Sequence, residues 1–448
     1  MEKVNNFLEF EIKNNLFDLK DNLGLNPWDG VRYYVMMNVL HKTNNSVVDY
    51  AQGFVGRKLT YTIKRMVKFA FYYIRNRKKE LLFILCSRDK KNDLYYDKIA
   101  DSVYELADRK SSFTIETTDN YIRSNYKYDR DIAPIIDNVV VRLSHYKFDF
   151  SGVLSLLKQQ FPDVNISSNQ LNVYYNRFVG QYLFYRWLFR HTHIKKAWFV
   201  QNGIMKGLMA AANEEGLQLY EIQHGQISLN HPAYSYPSEE LLPSSKVYHP
   251  DYLLTFGKFW SKNRSYPGVK DVVIGNPSYS ETYNVPVNSG NKKLLVISNQ
   301  EEGPLLMERV KEVLEKDSEF YFYFKLHPNQ FKEYESYRSQ FEYTQRVEVV
   351  SNQMSINELL LRCEGIFLND STVELEALRL GRKVFVLTEQ YYEVMDFVLE
   401  EEGVYSCKDV DDFLRQYKLH KNDVLSPRDD FFEAFNKTVV KQMLENKI

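Results

Sequence analysis

From Lys292 to Thr388 the sequence alternates short apolar runs with helix-length segments, and this alternation restricts the fold more than any other feature. Leu294-Leu295-Val296-Ile297 is expected as a buried strand, followed by a helix over Pro304 to Lys316 with Leu305, Leu306, Val310, Val313 and Leu314 on one face. A second strand, Phe320 to Phe324, ends in Lys325-Leu326-His327-Pro328, and a third, Val347 to Val350, leads to a helix over Ile356 to Cys363. Gly365 to Leu368, a helix from Ser371 to Leu380, and Val384 to Leu387 continue the series. Strands separated by helices of this length are joined by crossovers, not hairpins. The arrangement that buries them is a parallel sheet covered on both faces, a Rossmann-like domain.

The N-terminal half follows the same pattern less regularly. Leu81 to Leu85, a helix over Tyr95 to Ala107, and Ser112 to Ile115 make one unit; Ala197 to Val200, a helix over Ile204 to Asn213, and Leu217 to Ile222 make another. Residues 145–193 between them are expected to be mostly helical. A chain of 448 residues exceeds one ordinary core and suits two domains of about 200 residues each. The boundary is expected near Ser244, after the Pro-containing segment His231 to Pro243. The expected organisation is a helix-rich α/β domain over 1–244, a Rossmann-like domain over 245–408, and terminal helices over 409–448 that pack back on the domains.

Composition excludes several classes. A net charge of −1 argues against a nucleic-acid binder, which needs a basic face to release counterions. Cys86, Cys363 and Cys407 are isolated, without the spacing of a disulfide framework or a zinc site, which fits a reducing cytoplasm. Residues 1–20 lack a signal-peptide core, and no apolar stretch is long enough to span a bilayer.

In open α/β sheets ligands bind beyond the carboxyl ends of the strands, and polar clusters occur at several such ends. Lys325, His327 and Pro328 form a basic, proline-stiffened turn able to meet phosphates, or simply a basic surface turn. Asn369-Asp370-Ser371-Thr372 opens a helix whose N–H groups and hydroxyls suit phosphate. Ser371 with Glu374 three residues later is equally a capping box, whereas Glu376 one turn further in can accept from ribose hydroxyls. Gln223-His224-Gly225 ends a strand in the N-terminal half, where His224 can serve as a general base or as a structural histidine. Arg88 and Asp89 follow the first strand, and Asp89 is the rival base. Gly275-Asn276-Pro277 is a further candidate loop.

The order of Gln223-His224-Gly225, Thr255-Phe256-Gly257-Lys258-Phe259-Trp260, Gly275-Asn276-Pro277, Lys325-Leu326-His327-Pro328 and the run from Asp370 to Gly381 is similar to GT-B enzymes of bacterial surface polysaccharide synthesis. It most resembles the capsule polysaccharide glycosyltransferases, and it also resembles the CDP-glycerol glycerophosphotransferases. The resemblance implies two Rossmann-like domains facing a cleft, with acceptor held mainly by the N-terminal domain. It implies donor phosphates on Lys325, His327, Ser371 and Thr372, assisted by Pro328, Asp370, Gly275 and Asn276, and the nucleoside on Glu376. Arg88 and Gln223 fall on the acceptor side, and His224 or Asp89 would be the base. Thr372 stands where the relatives carry a second serine, and the His224-Gly225 pair lacks a following Thr-Pro, which weakens the glycerophosphate alternative.

The implied partners are a nucleotide-sugar donor and a polysaccharide or lipid-linked acceptor, with no separate cofactor and no metal. A nucleotide-sugar epimerase and a non-catalytic polysaccharide-assembly subunit are the remaining alternatives. Asp129-Arg130-Asp131 and Asp409-Val410-Asp411 match a DxD pattern but follow no expected strand; Asp409 is expected to open a helix. Finally, residues 57–79 hold nine Lys or Arg and no acidic residue. Read as a helix, they place Leu59, Ile63, Met66, Val67, Ala70 and Ile74 on one stripe and Lys64, Lys68 and Arg75 on another face, a pattern suited either to an anionic membrane surface or to a core-packed helix whose basic face is solvated.

Overall fold

The computed structural model describes residues 2–41, 59–87, 89–91, 94–118, 133–134, 136–200, 202–262, 264–277, 291–299, 302–389 and 397–445. The chain forms two compact units. The first comprises Met1–Phe256, Trp260–Ser278 and Ala434–Ile448, and the second Gly257–Phe259 and Tyr279–Glu433.

The first unit is built on β1 (Leu81–Leu85), a small hairpin of β2 (Asp89–Lys91) and β3 (Leu94–Tyr96), then β4 (Ser112–Glu116), β5 (Ala133–Pro134), β6 (Lys196–Phe199), β7 (Gln218–Ile222), β8 (Tyr252–Thr255) and β9 (Lys270–Val273). Apart from the antiparallel hairpin, these strands form one parallel seven-stranded sheet in the order β5-β4-β1-β6-β7-β8-β9. Register across three neighbours is marked by a ring ladder. Trp198 pairs with Tyr220 and Tyr220 with Tyr252, with centroids 4.3 and 4.9 Å apart and planes within 6° of parallel. A slip by one residue would turn these rings to the other face, so the ladder specifies the pairing.

Three expectations change here. The boundary moves from Ser244, because β8 and β9 complete the first sheet. The segment His231 to Pro243 is not a linker: Tyr234 and Tyr236 are buried with their hydroxyls on Glu221 and Asp29, and Arg32 holds the backbone around them. Arg32 donates from Nε and Nη2 to both oxygens of Glu11 (2.6 and 2.9 Å) and from Nη1 and Nη2 to the carbonyls of Pro232 and Ser235 (2.9 and 2.6 Å). Asp29, on the same helix Pro27–His41, accepts from Tyr248 N at 2.7 Å. The N-terminal helices therefore clamp a polar segment into the core. The expected helix Tyr95 to Ala107 is reduced to Asp101–Tyr104, because Asp97 turns the chain by accepting from Ile99 N and Ala100 N (2.9 Å each) and from Cys86 N (2.7 Å).

The second unit contains β10 (Lys293–Ile297), β11 (Tyr321–Lys325), β12 (Val347–Val350), β13 (Gly365–Leu368), β14 (Lys383–Leu387) and β15 (Val404–Cys407). All are parallel, in the order β12-β11-β10-β13-β14-β15. Helices Gly303–Lys316 and Val410–His420 bury Leu306, Val310, Val313, Phe413 and Tyr417 against Leu294, Phe322, Phe324, Phe367 and Phe385. The five expected strands are present, and β15 adds an edge. Asp409 caps the helix it opens by accepting from Asp412 N at 2.8 Å, as expected. The terminal residues divide: Val410–His420 belongs to the second unit. The helix Lys437–Leu444 returns to the first, where Val440 and Met443 join the core of Phe83, Trp198 and Tyr220. Fold class is thus α/β with two Rossmann-like units.

Candidate functional site

Strand order locates the site in the second unit. From β10 the chain moves outward to β11 and β12, then crosses back to β13 on the other side of β10. The loops leaving β10 and β13 therefore diverge, and a crevice opens between their carboxyl ends. Those loops begin at Ser298 and at Asn369.

The β10 loop is tied to the His327 turn through Gln330. Ser298 Oγ donates to Gln330 Oε1 at 2.9 Å, His327 N donates to the same oxygen at 3.1 Å, and Gln330 Nε2 donates to Tyr337 Oη at 2.9 Å. Gly303 starts the following helix directly against this network. A Cβ there would lie 2.5 Å from Tyr337 Oη and 2.6 Å from both Gln330 Nε2 and Ser298 Oγ. Only glycine lets the helix begin so close to the turn. None of Ser298, Gly303 and Gln330 was singled out from sequence. A glycine followed by Pro304 just after a strand was the available signal.

His327 is exposed, and its Nδ1 accepts from Asn329 N at 3.2 Å. An acceptor at Nδ1 places the ring proton on Nε2, which leaves a donor directed away from the turn. Pro328 starts the short 3₁₀ turn Pro328–Glu333. Lys325 departs from expectation. Its Nζ is buried and donates to the carbonyls of Ser351 and Met354, so it ties the chain after β12 rather than meeting a ligand. Burial pushes its ammonium pKa down.

At the end of β13, Asn369 is fully buried, and neither Oδ1 nor Nδ2 has a hydrogen-bond partner among the described residues. An amide left so is costly, and such groups in native proteins call for a ligand, water or function. Asp370 and Ser371 are half-buried, Thr372 is exposed and Glu376 is half-buried. The helix spans only Val373–Arg379, shorter than the expected Ser371 to Leu380. Its dipole is correspondingly small. Ser371 N donates to Glu374 Oε1 at 3.0 Å, and Ser371 Oγ accepts from Val373 N at 3.3 Å, which leaves the hydroxyl proton available.

Glu374 is completely buried, and its pKa is raised well above the ordinary 4.5, chiefly by desolvation and secondarily by Asp370, against the opposing Ser371 N–H. The folded state then keeps a proton that the unfolded chain releases. This contribution to stability is present below the ordinary value and is lost as pH rises toward the folded-state value. The melting-temperature advantage of Glu374→Gln over wild type should accordingly widen as pH climbs above about 4.5. Parallel melting curves at all pH values would contradict this.

In the first unit, the first sheet reverses between β1 and β6. Arg88, beyond β1, lies outside the described residues; Asp89 opens β2, and its side chain also lies outside them. His224 is exposed two residues beyond the end of β7. Gln223 is buried with its amide committed: Nε2 donates to Gly225 O at 2.8 Å and Oε1 accepts from Phe256 N at 2.7 Å. It fixes the loop that carries His224 rather than presenting itself to an acceptor. Gly275 and Asn276, expected at the donor, belong to the first unit. Both are buried; Gly275 adopts φ 76°, and Asn276 bridges to Ala434. This loop anchors the returning C-terminal segment. Of the DxD patterns, Asp129 to Asp131 lies outside the described residues. Among the described residues, no cluster of three or more His, Cys, Asp or Glu suits a metal ion.

Two Rossmann-like units, the second with polar and partly unsatisfied strand ends at its switch point, make this an α/β protein whose candidate ligand site lies on the second unit. Residues 301–405 match the family described as "Capsule polysaccharide biosynthesis protein", a segment that holds His327, Asn369, Ser371, Thr372 and Glu376. Over that segment the resemblance seen in the motifs is borne out. A comparison with curated proteins finds no significant match. Solved structures similar to the chain include UDP-GlcNAc 2-epimerase from Methanocaldococcus jannaschii (TM-score 0.47, 12% identity, 82% of this chain and 99% of that one). Another is UDP-GlcNAc 2-epimerase from Neisseria meningitidis bound to UDP-GlcNAc (TM-score 0.47, 12% identity, 82% and 100%). A third is the glycotransferase of kitacinnamycin (TM-score 0.48, 12% identity, 83% and 100%). Likeness at this level bears on neither substrate nor activity.

Proposed function

We propose that the protein is a glycosyltransferase that moves a sugar from a nucleotide-sugar donor to a hydroxyl of a growing surface polysaccharide or a glycolipid, inverting the anomeric carbon without a metal. What supports this reading is that polar side chains follow β11 and β13, the strands on either side of β10 at the switch point, within the segment that matches the capsule polysaccharide family. His327 Nε2–H and the hydroxyls of Ser371 and Thr372 donate to the diphosphate. Glu376 accepts from the ribose, and Asn369 gains partners when the nucleotide is bound. Such fixed donors stabilise the charge that builds on the leaving diphosphate as its bond to the anomeric carbon breaks. In the first unit His224 takes the proton of the attacking hydroxyl, and Gln223 holds the loop that carries it.

Thermal-shift measurements with CMP, CDP, UDP, GDP and dTDP test the donor half of this proposal. One nucleotide is expected to stabilise the second unit, and His327→Ala should reduce its effect. With the matching nucleotide sugar, free nucleotide should appear only when acceptor is present. Conversion of the sugar without acceptor would instead indicate an epimerase.

A further inference from the structure

We propose that the outer face of the helix Leu59–Asn76 docks the first unit onto an anionic lipid surface. The described part of this helix presents two different faces. Arg65, Phe69, Tyr72 and Asn76, at helical spacing, are buried. On the far side Ile63, Met66, Val67, Ala70, Phe71 and Ile74 recur at i, i+3, i+4, i+7, i+8 and i+11, and all are exposed. Phe71 and Ile74 are 68% and 66% exposed. A helix on a soluble surface normally turns its apolar stripe inward. Here a long apolar stripe faces outward.

Charge identifies the occupant. Lys64, Lys68 and Arg75 form an exposed ridge along one border of the stripe, and Arg77 and Lys78 continue it past the helix end. On the helix's other flank Tyr73 lies against Trp187, with ring centroids 5.1 Å apart, and Trp187 is itself 41% exposed. An apolar stripe with a cationic border and an amphipathic ring beside it matches a headgroup layer, where apolar side chains enter the acyl boundary and ammonium groups meet lipid phosphates. A second copy fits less well. Residues 57–79 contain nine cations and no carboxylate, so self-pairing of this face would bring cations together with no acid from the segment to meet them. The inference does not depend on donor chemistry.

The test is co-sedimentation of the full chain with phosphatidylcholine vesicles, with and without phosphatidylglycerol. Binding is expected only with phosphatidylglycerol and should weaken as salt shortens the screening length. Lys64→Glu with Lys68→Glu should lower partition by at least about tenfold. Phe71→Ser with Ile74→Ser should lower it further at high salt, where the apolar contribution remains. All four side chains are exposed, so circular dichroism and nucleotide affinity should not change. The proposal is overturned if the chain ignores phosphatidylglycerol vesicles at low salt, or if both variants sediment like wild type. It is likewise overturned if Phe71→Ser with Ile74→Ser abolishes a concentration-dependent dimer, which would assign the face to a second copy.

Discussion

Replacement of His224 by alanine is expected to reduce turnover by about 10²–10⁴-fold while nucleotide affinity, measured by calorimetry, stays unchanged. The separation follows from position. His224 lies just beyond β7 of the first unit, whereas the proposed phosphate donors follow β11 and β13 of the second. His327→Ala and Ser371→Ala should show the converse pattern. Each removes a hydrogen bond to a charged group, about 1.5–3 kcal/mol of nucleotide affinity. If His224→Ala turns over normally, the base is Asp89 and the role given to His224 fails. Loss of nucleotide binding in His224→Ala would contradict the division of labour itself.

The largest stability effect is expected at Arg32. Its guanidinium and the Glu11 carboxylate are fully buried and bonded to each other through two atoms each. Burial raises the carboxyl pKa of Glu11 even against the pull of Arg32, so the pair exists because each partner compensates the other. Arg32→Met leaves Glu11 unmatched and frees the carbonyls of Pro232 and Ser235, with an expected cost of about 3–5 kcal/mol. Adding Glu11→Gln should recover part of that cost, because an amide is cheaper to bury than a lone carboxylate. Scanning calorimetry should show the first-unit transition moving down in the single variant and partly back in the double. Nucleotide affinity in the second unit should not follow it. Equal destabilisation of single and double variants would mean that the carbonyl contacts, not the ion pair, dominate.

The second unit was largely legible in sequence because parallel α/β structure writes itself locally: each strand is an apolar run and each helix has a period. What escaped depends on partners remote in the chain. The segment around Pro232 reads as polar punctuation, and remote partners turn it into core, among them Arg32, which lies two hundred residues earlier (separation 200). Lys325 has the composition of a phosphate ligand, but the carbonyls of Ser351 and Met354 reach it first. Asn369 was visible within its cluster, yet no sequence pattern announces an amide buried without partners among the described residues. The helix at residues 59–76 was legible as two stripes, while which stripe faces outward was decided by Phe69 and Tyr72 packing inward.

The returning helix Lys437–Leu444 reverses the order of completion relative to the order of synthesis. The first unit occupies most of the first half of the chain, yet its core lacks Val440 and Met443 until the ribosome has passed residue 443. The second unit, apart from Gly257–Phe259, is one continuous stretch and can close while the first still waits. At cellular elongation rates the first sheet carries an uncovered apolar face around Phe83, Trp198 and Tyr220 for roughly 10–30 s while the second unit is made. A chain that terminates just after Glu433 therefore carries an unfinished first unit beside a complete second one.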